Sequence, residues 1–145
     1  MKDYKDLIIL IAEDDDGHAM LINEGLRESG VCNTIIRFKN GLETWQFLVG
    51  KSETENLNNT KSYLLLLDIN MPLMDGIELL QKIKADAKLK DIPVIMLTTT
   101  DDPREVKTCY KYGCNMYITK PIQFDKFAEM LNRMGLFIQI VKVIN

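Results

Sequence analysis

Four short stretches of this chain carry residue types that could do chemistry together. Glu13, Asp14 and Asp15 follow the apolar run LIILIA at 7–12, and Asp68 stands directly behind YLLLL at 63–67, with Asn70 two residues on. Thr98, Thr99 and Thr100 close the run that begins PVIML at 93, and Thr119 and Lys120 precede Pro121. A charge at the edge of a leucine run is costly to bury unless something compensates it. Carboxylates brought together repel one another, so a cation is the obvious compensation. Oxygen ligands in small number favour a hard ion, and Mg²⁺ suits because it keeps waters and shares its shell with phosphate. Lys120 would be a second positive charge, placed to receive an anion. Together the groups read as a site for a phosphoryl group on Asp68, with a carboxylate nucleophile, a metal, a hydroxyl and an ammonium.

That chemistry needs elements that deliver all four stretches to one rim. Short apolar runs at 7–12, 34–38, 63–67, 93–98 and 115–119 have the length and flanks of strands, and several are apolar throughout, as parallel strands covered on both faces are. Amphipathic stretches alternate with them. Ala19, Ile22 and Leu26 make a stripe from Gly17 to Ser29, closed by Gly30, while Leu42, Trp45 and Leu48 follow the cap pair Asn40 and Glu43. Asp75 with Glu78, and Asp102 with Glu105 behind Pro103 and ahead of Gly113, repeat the capping signature. A last helix opening near Gln123 is predicted to bury Phe124, Phe127, Leu131 and Met134. Five strands alternating with five helices imply an α/β fold, a parallel sheet with helices on both faces. In such a sheet ligands gather beyond the carboxyl ends of the strands, where strand order reverses. The polar stretch KSETENLNNTKS at 51–62 is predicted to be a long surface loop.

The motifs "ILIAEDDD", "LLLLDINMPLMDG", "VIMLTTT" and "YITKP" stand in one order along nearly the whole chain, and with them it resembles the response-regulator receiver domains of two-component signalling. The stretches "KADAKLKDIPVIMLTTT" and "FDKFAEMLNRMGLFIQIVKV" are most similar to the small stand-alone regulators associated with bacterial phytochromes. The resemblance implies a flavodoxin-like, doubly wound (βα)5 fold with strand order 2-1-3-4-5. It implies Asp68 as phosphoacceptor; Asp14, Asp68 and the Asn70 backbone carbonyl as Mg²⁺ ligands, with Glu13 acting through water; and Thr98 and Lys120 as partners of the phosphoryl oxygens. Tyr117 matches the switch aromatic, Asn70 and Thr100 the positions that modulate dephosphorylation, and the bond between Lys120 and Pro121 is implied to be cis. The implied partner is a sensor histidine kinase, of phytochrome type. The switched surface would be that of helix four, strand five and helix five.

Read singly, several of these residues have plainer roles. Asp14 and Asp15 could only cap a helix, Lys120 could be a surface lysine, and Tyr117 an ordinary half-buried strand residue. His18, the only histidine, reads as an exposed first-turn residue, and Cys109 and Cys114 read as buried packing. The receiver is expected over 1–134, with no output domain and with an apolar tail, GLFIQIVKVIN at 135–145. In the tail Phe137, Ile138 and Val141 would continue the helical stripe, although β-branched content favours an extended segment. Such a tail suggests a homodimer.

A net charge of −3 in 145 residues leaves no basic footprint for nucleic acid. The six-residue apolar run near the N-terminus is too short for a secretory or membrane segment. Three cysteines without framework spacing fit a reduced, cytoplasmic protein. Two other functions compete. A haloacid-dehalogenase-like phosphohydrolase needs a second acid two residues after its nucleophile, and Asn70 stands there. A pseudo-receiver would be expected to lack an acid, the threonine or the lysine, and none is missing.

Overall fold

The computed structural model describes the backbone of residues 7–144 and the side chains of residues 7–138. Strands and helices alternate without exception: β1 (Leu7–Ala12), α1 (Asp16–Glu28), β2 (Ile35–Phe38), α2 (Gly41–Leu48), β3 (Ser62–Leu67), α3 (Gly76–Ala85), β4 (Val94–Thr98), α4 (Pro103–Lys111), β5 (Met116–Thr119) and α5 (Phe124–Ile144). The five strands form one parallel sheet in the order β2-β1-β3-β4-β5. Strand order therefore reverses between β1 and β3, and a crevice opens beyond their carboxyl ends.

Period-two alternation divides the core into two layers. Leu10, Leu65, Leu67 and Met96 face α2, α3 and α4, whereas Ile9, Ile11, Leu66 and Leu97 face α1 and α5. The central strand β3 is covered on both sides, which is why it is written as consecutive leucines.

The helices begin where sequence chemistry tells them to. Asp15 accepts from the His18 N–H, Asn40 from Glu43, and Asp75 from Glu78, each filling a donor that the first turn leaves without an intrahelical partner. Asp102 caps α4 through the Arg104 N–H instead of that of Glu105. Gly30 and Gly113 leave α1 and α4 at φ 98° and 99°, the left-handed conformation that ends a helix without a Cβ penalty. The 51–62 stretch is a surface loop up to Ser62, which opens β3. It is tied down by Leu57 N–H to Phe47 O at 3.1 Å and Asn58 N–H to Tyr63 Oη at 2.8 Å.

Two expectations are corrected. In α2 the buried side is Thr44, Phe47 and Leu48, while Leu42 is exposed and Trp45 half-buried. Thr44 can turn inward because its hydroxyl donates to the Asn40 carbonyl at 2.9 Å. Phe124, the first residue of α5, is 67% exposed, so the buried stripe of the helix begins at Phe127. Of the two readings of the tail, helix or extended segment, the structure takes the helix: α5 continues through Gly135 to Ile144. A Cβ on Gly135 would lie 1.8 Å from Ser29 Oγ, so the glycine is what lets α5 run flush along α1. Ile138 is buried and Phe137 exposed; the side chain of Val141 lies outside the described residues.

Candidate functional site

Strand register delivers the chemistry-bearing residues to one level. Ala12 is the partner of Leu67, so Glu13 and Asp68 leave β1 and β3 side by side, and the Asp68 N–H donates to Ala12 O at 3.0 Å. Thr98 is the partner of Thr119, and the Lys120 N–H donates to Thr98 O at 2.7 Å, extending the β4–β5 ladder by one residue. Carboxylate oxygens of Glu13, Asp14 and Asp68 lie within 4.8 Å of one another. Glu13 and Asp68 are buried and Asp14 faces solvent.

Lys120 is the compensation that Asp68 requires. Its side chain is 1% exposed, and Nζ stands 3.3 Å from Asp68 Oδ2 while also donating to Glu13 Oε1. The other Asp68 oxygen accepts from the Ile69 N–H at 2.7 Å. Even so, the cluster holds three carboxylates, and the ammonium pairs with two of them. Burial pushes the Glu13 carboxyl up to about 7; its bond to Lys120 opposes the rise and the charge of Asp68 adds to it. An acidic excess of this kind, all oxygen and open to solvent at Asp14, fits a hard divalent ion that retains waters. Glu13, expected to act on the ion through water, here spends one oxygen on Lys120.

Thr98 is fully buried and its hydroxyl has no hydrogen-bond partner, one of two such side-chain atoms among the described residues. A buried polar group left unpaired costs about 1–3 kcal/mol. The other atom is Nη2 of Arg37, whose Nε donates to Glu13 O at 2.9 Å and whose Nη1 pairs with Asp16 at 2.8 Å. Arg37 thus holds the acidic loop between β1 and α1 from both ends, a role the sequence did not announce.

The loop after Asp68 is squeezed between two helix starts. A Cβ on Gly76 would meet Asp68 O at 2.1 Å, and one on Gly41 would meet Met74 O at 2.0 Å. Glycine is required at both places by close approach of backbone.

Tyr117 is half-buried on β5, and its hydroxyl donates to Thr100 O at 2.7 Å; burial raises the phenol above its ordinary range. Asn70 is exposed and Thr100 half-buried at the rim. The bond between Lys120 and Pro121 is trans, which corrects the implied cis form. Trans is the favoured isomer before proline, and the backbone bond to Thr98 together with the two carboxylates already aims the lysine inward.

His18 is the residue that sequence reasoning undervalued. Its Nδ1 lies 3.2 Å from Lys120 Nζ and 3.9 Å from Glu13 Oε1. The signal was available, because first-turn side chains lean toward the helix N-terminus, and here that terminus adjoins the acids. Of the acidic triplet, Asp15 caps α1, while Glu13 and Asp14 join Asp68 in the carboxylate cluster. Cys109 and Cys114 are buried free thiols, as expected.

Residues 9–132 match the family described as the response regulator receiver domain. The chain is 37% identical over 124 residues to response regulator Rcp1 of Synechocystis, covering 86% of this chain and 83% of that one. A receiver domain from Rhodospirillum rubrum superposes with a TM-score of 0.83 at 38% identity, over 92% of this chain and 94% of that one. The Mn²⁺-bound form of Rcp1 superposes with a TM-score of 0.81 at 33% identity, over 90% and 92% of the two chains. The phosphorylated cyanobacterial phytochrome response regulator RcpA gives 0.82 at 32% identity, over 90% and 91%. The sheet order agrees with these matches, and the chain belongs to the response-regulator receiver family of two-component signalling.

Proposed function

We propose that Asp68 accepts a phosphoryl group from a sensor histidine kinase in a Mg²⁺-dependent reaction, and that the charge it gains repositions the surface of α4, β5 and α5. The observation that carries the reading is Lys120 Nζ, buried 3.3 Å from Asp68 Oδ2 inside a cluster of three carboxylates. An unneutralised acid has no structural use at the edge of a leucine core; one held ready beside an ammonium has a chemical one.

In the reaction an Asp68 oxygen forms the new O–P bond, the P–N bond of the donor phosphohistidine breaks, and its electron pair returns to the departing imidazole, which takes a proton from water. Asp14, Asp68 and the Asn70 carbonyl would hold Mg²⁺, with Glu13 reaching it through water. Bound there, the ion would neutralise charge on the phosphoryl oxygens. Lys120 turns its ammonium from carboxylate to phosphoryl oxygen, and the Thr98 hydroxyl gains the acceptor it lacks. Asp68 then carries about one more negative charge than before. Movement of Thr98 frees space toward which Tyr117 rotates, giving up its bond to Thr100 O. The equilibrium shifts only by the differential contacts the phosphate makes. Asn70 and Thr100, at the rim, would set the access of water that hydrolyses the acyl phosphate.

The kinase would be of phytochrome type, since several similar structures are described as phytochrome regulators. A homodimer is the second half of the proposal. A cavity of about 450 Å³ between β5 and α5, lined by Met116, Ile118, Met130 and Phe137 under a rim of Lys126 and Arg133, offers an apolar seat for a second copy. The proposed setting is the cytoplasm; among the described residues no helix is long and apolar enough to cross a membrane.

Incubation with acetyl phosphate and Mg²⁺, read by intact mass, tests the core. One phosphoryl group is expected in the wild type and none in Asp68→Asn; a wild type that gains nothing returns the chain to the pseudo-receiver reading. Light scattering that shows a monomer both with and without beryllofluoride would remove the dimer.

A further inference from the structure

We infer that His18 is a positioning residue for phosphoryl transfer, holding the Lys120 ammonium alongside Glu13 and Asp68. An ammonium has three N–H donors and no acceptor. At Lys120 the three acceptors are Glu13 Oε1, Asp68 Oδ2 at 3.3 Å and His18 Nδ1 at 3.2 Å. Because Lys120 can only donate, Nδ1 accepts, and the proton of the neutral ring sits on Nε2. The lysine side chain is 1% exposed, so water does not stand in for any of the three.

The imidazole is itself held in place. The His18 N–H donates to Asp15 Oδ1 at 2.9 Å, which locks the first turn of α1. On its other side the ring lies against Phe127 of α5, with centroids 5.9 Å apart and planes tilted by 31°. A ring fixed at both ends presents Nδ1 as a rigid acceptor. Without it the ammonium keeps only its two carboxylate partners, and nothing fixes how it is shared between Glu13 and the acid where the phosphoryl group is to form. Small displacements of a positioned group are expensive in rate.

The inference rests on the phosphoacceptor reading of Asp68, and the experiment separates the two. Asparagine places Oδ1 about where histidine places Nδ1, whereas phenylalanine keeps the ring against Phe127 and removes the acceptor. At saturating Mg²⁺, His18→Phe should take phosphate from acetyl phosphate about fivefold to tenfold more slowly, the scale of one lost hydrogen bond. His18→Asn should return to within about twofold of the wild-type rate. The Mg²⁺ concentration for half-maximal rate should stay the same in all three, because no carboxylate has changed. In metal-free wild type, ¹⁵N NMR of the side chain should show Nδ1 unprotonated and Nε2 protonated at pH 8, and Lys120→Met should abolish that preference.

A wild type that takes phosphate while His18→Phe keeps pace with it overturns the role of His18 alone. So does His18→Asn remaining as slow as His18→Phe, or a proton on Nδ1. A wild type that takes no phosphate removes the phosphoacceptor reading, and the role of His18 with it.

Discussion

The close approach of Gly76 to Asp68 gives a quantitative test of how the site is positioned. In Gly76→Ala the new Cβ would stand 2.1 Å from Asp68 O, 2.8 Å from Asp68 C and 2.9 Å from Ile69 Cα. All three are backbone atoms, so no rotamer change relieves the overlap. Either the start of α3 retreats by about 1 Å, toward the ~3.5 Å optimum of non-bonded contacts, or the Asp68 backbone moves. Overpacking of this kind costs about 1–3 kcal/mol. The propensity gain of alanine over glycine, up to about 1 kcal/mol in a helix interior, is reduced at the first helical position. A net loss of about 2 kcal/mol should lower the melting temperature by about 4–8 °C. The overlap falls on the proposed phosphoacceptor, so the acetyl phosphate reaction should slow by about tenfold or more. Gly50→Ala is the control, with φ 78° but nothing within 4 Å of its Cβ. It should lose stability, about 1 kcal/mol, yet phosphorylate at the wild-type rate. Circular dichroism melts and mass-resolved phosphorylation on both variants decide the matter. A Gly76→Ala protein that melts and reacts like the wild type would refute the reasoning.

Three further outcomes are expected. Thr98→Val replaces a buried, unpartnered hydroxyl by a methyl of similar shape. It should raise metal-free stability by about 1 kcal/mol while slowing phosphorylation; a destabilised Thr98→Val would show that the hydroxyl has a partner in solution. Glu13 has its folded pKa raised to about 7 by burial. Its contribution to stability is therefore complete below its ordinary value near 4.5 and is lost as pH rises through 7. Metal-free melting temperature should fall between pH 5 and pH 8, Mg²⁺ should stabilise more at pH 8, and Glu13→Gln should flatten both trends; a wild-type profile no steeper than that of Glu13→Gln contradicts the assignment. Gly135→Ala gains about 1 kcal/mol of helix propensity. It loses more against Ser29, whose Cβ at 2.7 Å cannot swing away, so melting should show a net destabilisation that Ser29→Gly in the same chain reverses.

The elements were legible because local chemistry and tertiary packing agree. Apolar runs became strands within a residue or so at each end, and Asn40, Asp75 and Asp102 capped the helices they precede. The site acids were legible because each follows a strand, and parallel strands end on one rim. What the sequence obscured was choice between equivalents. Leu42, Trp45, Phe47 and Leu48 are all apolar, so an eight-residue helix offers two stripes, and contact with Tyr63 and Phe38 selects the one containing Phe47. Gly135 reads as a helix breaker until Ser29 of α1 is seen beside it. His18 and Arg37 belong to no linear motif, since their partners at Lys120 and Glu13 lie 102 and 24 residues away, and only the first-turn position of His18 pointed toward the acids.

The central claim is that one acid, Asp68, is the residue phosphorylated, and its chemical trapping tests that most directly. An acyl phosphate is reduced by borohydride to an alcohol, so the phosphorylated protein, reduced and digested, should yield homoserine at position 68 and unchanged acids at 13 and 14. Homoserine absent from position 68, with label at Glu13 or Asp14 or at no carboxylate, would contradict the account.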